Sequence, residues 1–368
     1  MQIRRLQVTN VRNLGRTSLP LQTINLFYGA NGSGKTSLLE AVHLLLMGRS
    51  FRQTQLRPLV CDGEEQCTVF AELETEHSGA VALGVSRQRD GSKPAIKLNG
   101  EMLKSLSELV EIAPIQVLSA DSFDMLIGGP SNRRSFLDWG LFHVEPEFYP
   151  AWRLAQRALK QRNSLIRHGK IPRDQLTLWT HEYARYGEIV DQQRQAFVER
   201  LLPLVRAISA TLLPQIEGRL DITYARGWPK ELSLAEALEQ GLEGDLQQGH
   251  TRSGPHRADL RVTAGQYAAA DVLSRGQLKL LVAALYLTQT ELLQQLAGKR
   301  SIFLVDDLAA ELDEANRRRV CAELERLQVQ VLATSIEMTD LLGCWTRPEQ
   351  VQVFHVEHGN ISATNSAY

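Results

Sequence analysis

The sequence predicts an α/β fold, a mixed sheet with flanking helices, interrupted by an inserted helical lobe. Three observations predict it. A glycine-rich loop, Gly29 to Thr36, sits between an apolar run suited to a central strand and an apolar helix. A second apolar run, Ile302-Phe303-Leu304-Val305, ends in the adjacent aspartates Asp306 and Asp307. Between the two lies a long stretch whose apolar residues recur at helical spacing.

Taken in order, Ile3, Leu6 and Val8 suggest a first strand, and Asn10-Val11-Arg12-Asn13-Leu14 a loop. Ile24-Asn25-Leu26-Phe27-Tyr28 is short and mostly apolar, as a central strand is. Ser37 to Leu46 reads as a buried helix. From Thr68 to Leu98 apolar and polar residues alternate, as in Val69, Ala71 and Leu73 and again in Val81, Leu83 and Val85. Arg89-Asp90-Gly91-Ser92 and Asn99-Gly100 are hairpin-turn signals. The texture changes near Ser131. Trp179, Tyr183, Tyr186 and Val190, then Phe197, Leu201, Val205, Ile208 and Leu212, follow helical spacing, and Pro150, Pro172, Pro203 and Pro214 punctuate the region. Strand pattern returns at Leu260-Arg261-Val262, and the chain closes with the apolar run around Gln352 to Val356 and a Gly-Asn turn. The expected organisation is one α/β lobe of residues 1–124 and 256–368, split by a helical lobe of residues 125–255.

The chain has 368 residues, 43% apolar, enough for a sizeable core. With 41 basic and 42 acidic residues its formal net charge is −1, so charge alone does not mark a nucleic-acid binder. Any DNA contact must come from a local patch or an assembled dimer. Cys61, Cys67, Cys321 and Cys344 lack Cys-x-x-Cys or zinc spacing and read as buried small residues in a reducing compartment. The segment Met1 to Leu6 has no signal-peptide run, and no stretch approaches the ~20 apolar residues of a membrane span. The expectation is a soluble, cytoplasmic protein with no membrane partner.

Gly29-Ala30-Asn31-Gly32-Ser33-Gly34-Lys35-Thr36 fits the pattern Gly-x-x-x-x-Gly-Lys-Thr of a P-loop, which binds ATP. The glycines let backbone N–H groups turn inward around a phosphate. Lys35 brings a point charge to the β- and γ-phosphates, and the Thr36 hydroxyl is a Mg²⁺ ligand. The following helix N-terminus adds a favourable dipole. An apolar parallel strand ending in acid delivers its carboxylate beside such a loop. Asp306 is thus the expected metal-side residue, and Asp307 the group that orients or deprotonates the attacking water. The shorter Asp, where many nucleotidases carry Glu, predicts slow hydrolysis.

Leu273-Ser274-Arg275-Gly276-Gln277-Leu278-Lys279 precedes a helical run, with Ser274 as a plausible N-cap. This resembles the signature motif of the ATP-binding cassette superfamily, which contacts the γ-phosphate held by another subunit. The resemblance implies an ATP-type cassette lobe and an ATP-bridged homodimer in which Ser274, Gly276 and Gln277 serve the partner's nucleotide. Ala310-Glu311-Leu312-Asp313 resembles that superfamily's D-loop, and Gln116 sits where a Q-loop glutamine falls. No switch histidine follows Val329 to Ser335, leaving Thr334 or Ser335 as the γ-phosphate sensor.

The helical part is too short and too broken by prolines for a giant coiled-coil member. Asp121 to Asp138, containing Gly128-Gly129-Pro130-Ser131-Asn132-Arg133-Arg134-Ser135-Phe136-Leu137-Asp138, closely resembles a signature of the bacterial RecF family. Val305 to Asp313 resembles that family's second signature, and Asn10 to Leu14 and Ser253 to Leu260 are similar to it too. The resemblance runs end to end. It departs at Ala120, where the family usually has proline, and at Ala258, where an acid is common. It implies a recombination mediator that binds single-stranded and gapped DNA, dimerises on ATP and acts with RecO- and RecR-type partners. It also implies roles in recombinase loading and the SOS response, with weak ATP hydrolysis. Through it Arg12 and Asn13 join the candidate nucleotide contacts. Arg133 and Arg134, and the run Arg157, Lys160, Arg162 and Arg167, are candidate DNA-phosphate contacts. Two other readings fit less well. A transporter-coupled ATPase needs the missing histidine, and a related nuclease needs an acidic metal domain after the lobe, where the chain reaches Tyr368.

Overall fold

The computed structural model describes residues 1–52, 59–75, 79–168 and 173–364; Pro172 lies outside the described residues. The chain divides into two compact units, Met1–Ser122 with Gly298–Tyr368, and Phe123–Ala297.

The first unit holds two six-stranded sheets. One is antiparallel and joins β1 (Gln2–Val11), β2 (Leu14–Pro20), β4 (Gln66–Thr75), β5 (Gly79–Gln88), β6 (Ala95–Leu98) and β7 (Glu101–Met102) in the order β2-β1-β4-β5-β6-β7. The expected loop after Val8 shrinks to the turn Arg12-Asn13, because Val11 pairs with Leu14. Asn99 and Gly100 both take positive φ between β6 and β7, the two-residue turn that their sequence signals. The other sheet joins β3 (Ile24–Tyr28), β8 (Ile115–Leu118), β12 (Ile302–Val305), β13 (Gln330–Ser335), β14 (Val351–Glu357) and β15 (Asn360–Ala363) in the order β15-β14-β3-β13-β12-β8. All pair in parallel except β15. Central parallel strands are covered on both faces, which is why β3 and β12 read as continuous apolar runs.

The helix Lys35–Met47 follows β3 through the glycine-rich loop. It is buried almost all round and packs with the inward side chains of β1, β4 and β5, among them Leu6, Val8, Val69, Ala71 and Val85. Burial of each such aliphatic side chain contributes about 1.5–3 kcal/mol. That packing fixes where the helix N-terminus points, and with it the glycine-rich loop.

The second unit contains the helices Pro130–Val144, Phe148–His168, Arg173–Leu212 and Arg275–Ala297. It differs from the expected helical lobe in three ways. It includes an antiparallel sheet, β11-β10-β9, made of β9 (Leu220–Ala225), β10 (Asp259–Ala264) and β11 (Tyr267–Ala268). It extends to Ala297 rather than to residue 255, because β10 pairs along β9 and the helix Arg275–Ala297 packs against Arg173–Leu212. Finally, two of the prolines do not punctuate. Pro203 sits inside the 40-residue helix Arg173–Leu212. Pro150 is the third residue of its helix, where the missing N–H has no intrahelical partner to lose. No described helix is long and apolar enough to cross a membrane.

Candidate functional site

The loop between β3 and its helix owes its shape to glycines. Gly29, Gly32 and Gly34 take φ of 152°, 79° and 119°. A Cβ on Gly29 would lie 2.1 Å from the Val356 carbonyl oxygen, so the strand end admits no side chain there. Gly34 caps the helix Lys35–Met47 with no side-chain hydrogen bond, leaving the first-turn N–H groups for an outside acceptor. Lys35 Nζ curls back over the loop and donates to the carbonyls of Gly29 (2.6 Å) and Ala30 (2.9 Å). Burial lowers its pKa, and Asp307 and Asp306 oppose that shift.

Two further segments brace the loop. Asn13, in the β1–β2 turn, donates from Nδ2 to the Gly32 carbonyl at 3.2 Å and accepts from the Ser37 hydroxyl at 2.9 Å. Gly359 N–H donates to the Ser33 carbonyl at 2.8 Å. The Arg12 guanidinium grips Glu40 at 2.9 and 2.8 Å. Glu40 is fully buried in the helix after the loop and also accepts from Ser50. The pair ties the β1–β2 turn, and thereby Asn13, to that helix. Sequence reasoning overlooked Glu40, although an acid inside the run Leu38-Leu39-Glu40-Ala41-Val42 demands a cation nearby.

The acidic strand end meets this loop. Thr36 Oγ1 donates to Asp306 Oδ1 at 3.0 Å, and Thr334 Oγ1 donates to the same oxygen at 2.8 Å. Thr334 Oγ1 in turn accepts from Asp307 N at 2.9 Å. Thr334 rather than Ser335 therefore faces the site; the Ser335 hydroxyl turns to Asp340. Asp307 holds a left-handed backbone, φ 54°, unusual for a residue other than glycine. Its Oδ1 is buried without a hydrogen-bond partner. Burial raises its pKa and Asp306 raises it further, against Lys35. A strained backbone, an unpartnered carboxylate oxygen and a neighbouring acid mark a place built for something other than packing.

The donor set suits a polyphosphate with a hard cation. A loop of inward N–H groups and a lysine match the anion. One hydroxyl and one carboxylate oxygen, 3.0 Å apart at Thr36 and Asp306, match a cation that keeps waters and phosphate oxygens as its other ligands.

Gln116 is not brought to the strand ends. It lies within β8, paired with Phe303, and is buried three residues before the level of Asp306. Ser274, Gly276 and Gln277 belong to the second unit. There Ser274 and Gln277 form a reciprocal cap, Gln277 N to Ser274 Oγ at 3.3 Å and Ser274 N to Gln277 Oε1 at 2.9 Å. Ser274 and Gly276 are exposed, and a Cβ on Gly276 would meet nothing.

The arginines of the second unit depart from expectation. Arg133 pairs with Asp259 through Nε at 2.7 Å and Nη2 at 3.1 Å, and its Nη1 donates to the carbonyls of Leu126 and Gly128. Arg134 donates to the Ala258 carbonyl at 2.8 Å. Both bind the Gly-Gly-Pro segment to the Gly254–Leu260 segment, which leaves little of Arg133 for a DNA phosphate. Arg194 completes the link, gripping Asp138 at 2.8 and 2.9 Å and donating to the Pro255 carbonyl at 2.7 Å. Gly254 passes so close to Tyr183 that a Cβ would lie 2.2 Å from its hydroxyl oxygen. Arg162 is fully buried against Asp245 at 2.8 Å and is excluded from any surface patch. Arg157, Lys160 and Arg167 remain exposed.

The RecF/RecN/SMC N-terminal domain family matches residues 2–362. The DNA replication and repair protein RecF of Pseudomonas putida (strain GB-1) is 45% identical over 366 residues, 99% of this chain and 99% of that protein. RecF of Pseudomonas syringae pv. tomato (strain ATCC BAA-871 / DC3000) is 44% identical over the same length and coverage. Among solved structures, the recombination mediator protein RecF-ATP of the RecFOR pathway superposes with a TM-score of 0.86 at 26% identity, covering 98% of this chain and 97% of that one. An Smc head bound to the C-winged helix domain of ScpA gives 0.60 at 16% identity over 99% and 97%, a likeness of fold alone. Fold, signatures and relatives agree: the chain belongs to the RecF family.

Proposed function

We propose that this chain is an ATP-dependent DNA-binding protein of recombinational repair, in which the nucleotide joins two copies on DNA. The single observation that carries the reading is the Thr36–Asp306 contact, which joins the P-loop and the acidic strand end at one point. Gly29 to Gly34 cradle the phosphates, Lys35 neutralises the β/γ charge, and Thr36 and Asp306 hold Mg²⁺. Asp307 positions the attacking water; its raised pKa suits a general base, and its reach, shorter than a Glu's, supports slow turnover. Thr334 keeps both aspartates in place through its hydroxyl.

Ser274, Gly276 and Gln277 complete the nucleotide site of a second copy. What supports this is the exposure of Ser274 and Gly276 and the open space over Gly276. The dimer then doubles whatever basic surface each nearly neutral copy offers to single-stranded or gapped DNA. RecO- and RecR-type partners fit this reading through the RecFOR pathway that the similar solved structure names; recombinase loading and the SOS response enter it only through the family resemblance. So does a cytoplasmic location.

Light scattering tests the switch. ATP with Mg²⁺ should double the mass while ADP leaves it unchanged, and the ATP form should bind gapped DNA more tightly, with a steep salt dependence. A monomer in saturating ATP contradicts the reading.

A further inference from the structure

The four cysteines take no part in the nucleotide site, and all are free thiols. Two of them meet. Cys321 lies on the helix Glu314–Arg326, and Cys344 follows the short helix Thr339–Leu342. Both belong to the first unit, and their thiols hydrogen-bond to each other. Two sulfurs in contact meet the first geometric requirement of a disulfide, which closes them to ~2.05 Å.

The two sulfurs have different surroundings. Cys321 is fully buried, whereas Cys344 is 6% exposed and its neighbours Gly343 and Thr346 are open to solvent. Cys344 is thus the sulfur nearer the surface. Protonated, it donates to the Asp340 carbonyl at 3.5 Å. Deprotonated, it accepts the Cys321 S–H. That bond lowers the Cys344 pKa; burial and Glu314 oppose the shift, and the cations Arg317 and Arg318 add to it. Cys321 is shifted the other way, first by the same bond and then by burial. Arg317 also keeps Nε buried with no hydrogen-bond partner. Cys67 shows what burial does without a second thiol. It too lies near an arginine, Arg87, yet its pKa rises to about 11. The thiolate is the form that reacts, so the pair supplies one reactive sulfur and one protonated sulfur beside it.

We propose that Cys344 and Cys321 form an oxidant-responsive pair, in which a hydroperoxide oxidises Cys344 and Cys321 then closes a disulfide with it. In the first step the Cys344 thiolate attacks one peroxide oxygen. The O–O bond breaks, an S–O bond forms, and two electrons pass from sulfur to the peroxide. Cys344 becomes a sulfenic acid, and hydroxide (water, from hydrogen peroxide, once protonated) leaves. In the second step the Cys321 sulfur attacks the Cys344 sulfur. The S–S bond forms, the S–O bond breaks, and the Cys321 proton leaves with the hydroxyl group as water. Burial of Cys321 does not hinder that step, because its target already touches it. The bond ties the helix that Asp313 caps to the segment that Asp340 holds to Ser335, at the end of β13. In a reducing compartment such a disulfide is transient and reversible by thiols.

Peptide mapping tests the pair on the full chain. The reduced protein is treated with hydrogen peroxide at neutral pH, alkylated under denaturing conditions and digested without reductant. Mass spectrometry should show alkylation lost at two of the four cysteines, with the Cys321 and Cys344 peptides joined and released by dithiothreitol. Cys321→Ser keeps a donor beside Cys344 but removes the resolving sulfur, so dimedone should then label Cys344 as sulfenic acid. In Cys344→Ser, Cys321 should stay unlabelled. ATP binding by both variants serves as the control for folding. Three results overturn the proposal. One is the absence of a 321–344 link at a peroxide dose that oxidises cysteine in an unstructured peptide. Another is a main link that runs to Cys61, to Cys67 or between chains. The third is dimedone labelling of Cys321 in Cys344→Ser that matches the labelling of Cys344 in Cys321→Ser.

Discussion

In the first unit, charged side chains gather at an open loop. Lys35 feels the charges of Asp306 and Asp307, and Asp307 leaves a carboxylate oxygen unpartnered. In the second unit, charged side chains turn inward and pair. Arg133 with Asp259, Arg194 with Asp138 and Arg162 with Asp245 hold segments that are distant in the chain. Both units carry strong signature segments; the first leaves Asp307 Oδ1 open beside the P-loop, whereas the signature arginines of the second are held by carboxylates and carbonyls. A signature rich in arginine therefore marks either a ligand surface or a structural staple. The partners decide which: a guanidinium already held by a carboxylate and two carbonyls, as Arg133 is, has little left for a ligand.

That contrast is open to attack by substitution, and the largest expected effect is on stability. Arg162→Ala takes the buried partner from Asp245 Oδ2 and leaves that carboxylate only Arg252, and breaking such a buried pair costs about 3 kcal/mol. Chemical denaturation followed by Trp fluorescence should show the loss, while Kd for nucleotide in folded protein stays put. Weaker nucleotide binding at full folding would mean that the staple is part of the site after all.

Lys35→Met should do the opposite. Removing a charged donor from a phosphate site weakens nucleotide binding by about 100-fold, or ~3 kcal/mol, with the fold retained. Calorimetric titration with ATP reads it directly, and a change below about threefold would separate Lys35 from the phosphates.

Acid should weaken both units by a shared mechanism. His43 in the first and His256 in the second are held near pKa 4, from 6.5, chiefly by burial. His256 Nδ1 lies 2.6 Å from the Tyr183 hydroxyl and Nε2 lies 3.0 Å from the Thr251 carbonyl, so the neutral ring accepts at one nitrogen and donates at the other. Because the folded pKa is depressed, the unfolded chain binds the proton first. Stability is intact above pH 6.5 and falls as pH drops toward 4, by about 2 kcal/mol per histidine at pH 5. Replacing His256 by Asn should remove about one proton from the acid slope of unfolding; an unchanged slope would show that the ring is already charged in the fold.

The smallest effect on the fold is expected at Gly276→Ala. A Cβ there meets nothing, so stability should shift by less than about 0.5 kcal/mol. ATP-dependent mass doubling should nevertheless suffer if Gly276 serves the partner's nucleotide as proposed. Wild-type dimerisation would detach Gly276 from the interface.

Legibility from sequence followed sequence distance. The P-loop is eight contiguous residues whose glycines, lysine and threonine each have one evident use, so it could be read directly. The acidic strand end was readable because a buried parallel strand has a plain apolar run before its carboxylates. The Thr36–Asp306 bond spans 270 positions, but two strong motifs predicted it. The Arg133–Asp259 pair spans 126 positions, and nothing local distinguishes an arginine that turns inward from one that faces DNA. Arg162 misled for the same reason: on a helix its neighbours Lys160 and Arg167 are exposed while its own position is fully buried. β9 escaped because Leu220-Asp221-Ile222-Thr223-Tyr224-Ala225 is short and lies among helical patterns. Pro203 misled because a long, well-packed helix tolerates one lost hydrogen bond.

The central claim, that each nucleotide site needs a second chain, is tested most directly by mixing two defective variants. Lys35→Met lacks a working P-loop but keeps Ser274 to Gln277; Ser274→Arg has the reverse defect. Each alone should remain monomeric in ATP by light scattering. Mixed in ATP with Mg²⁺, they should form a heterodimer held by one intact composite site, the P-loop of one with the signature of the other. A mixture that stays monomeric while both variants remain folded, or a Ser274→Arg chain that dimerises alone, would contradict the account.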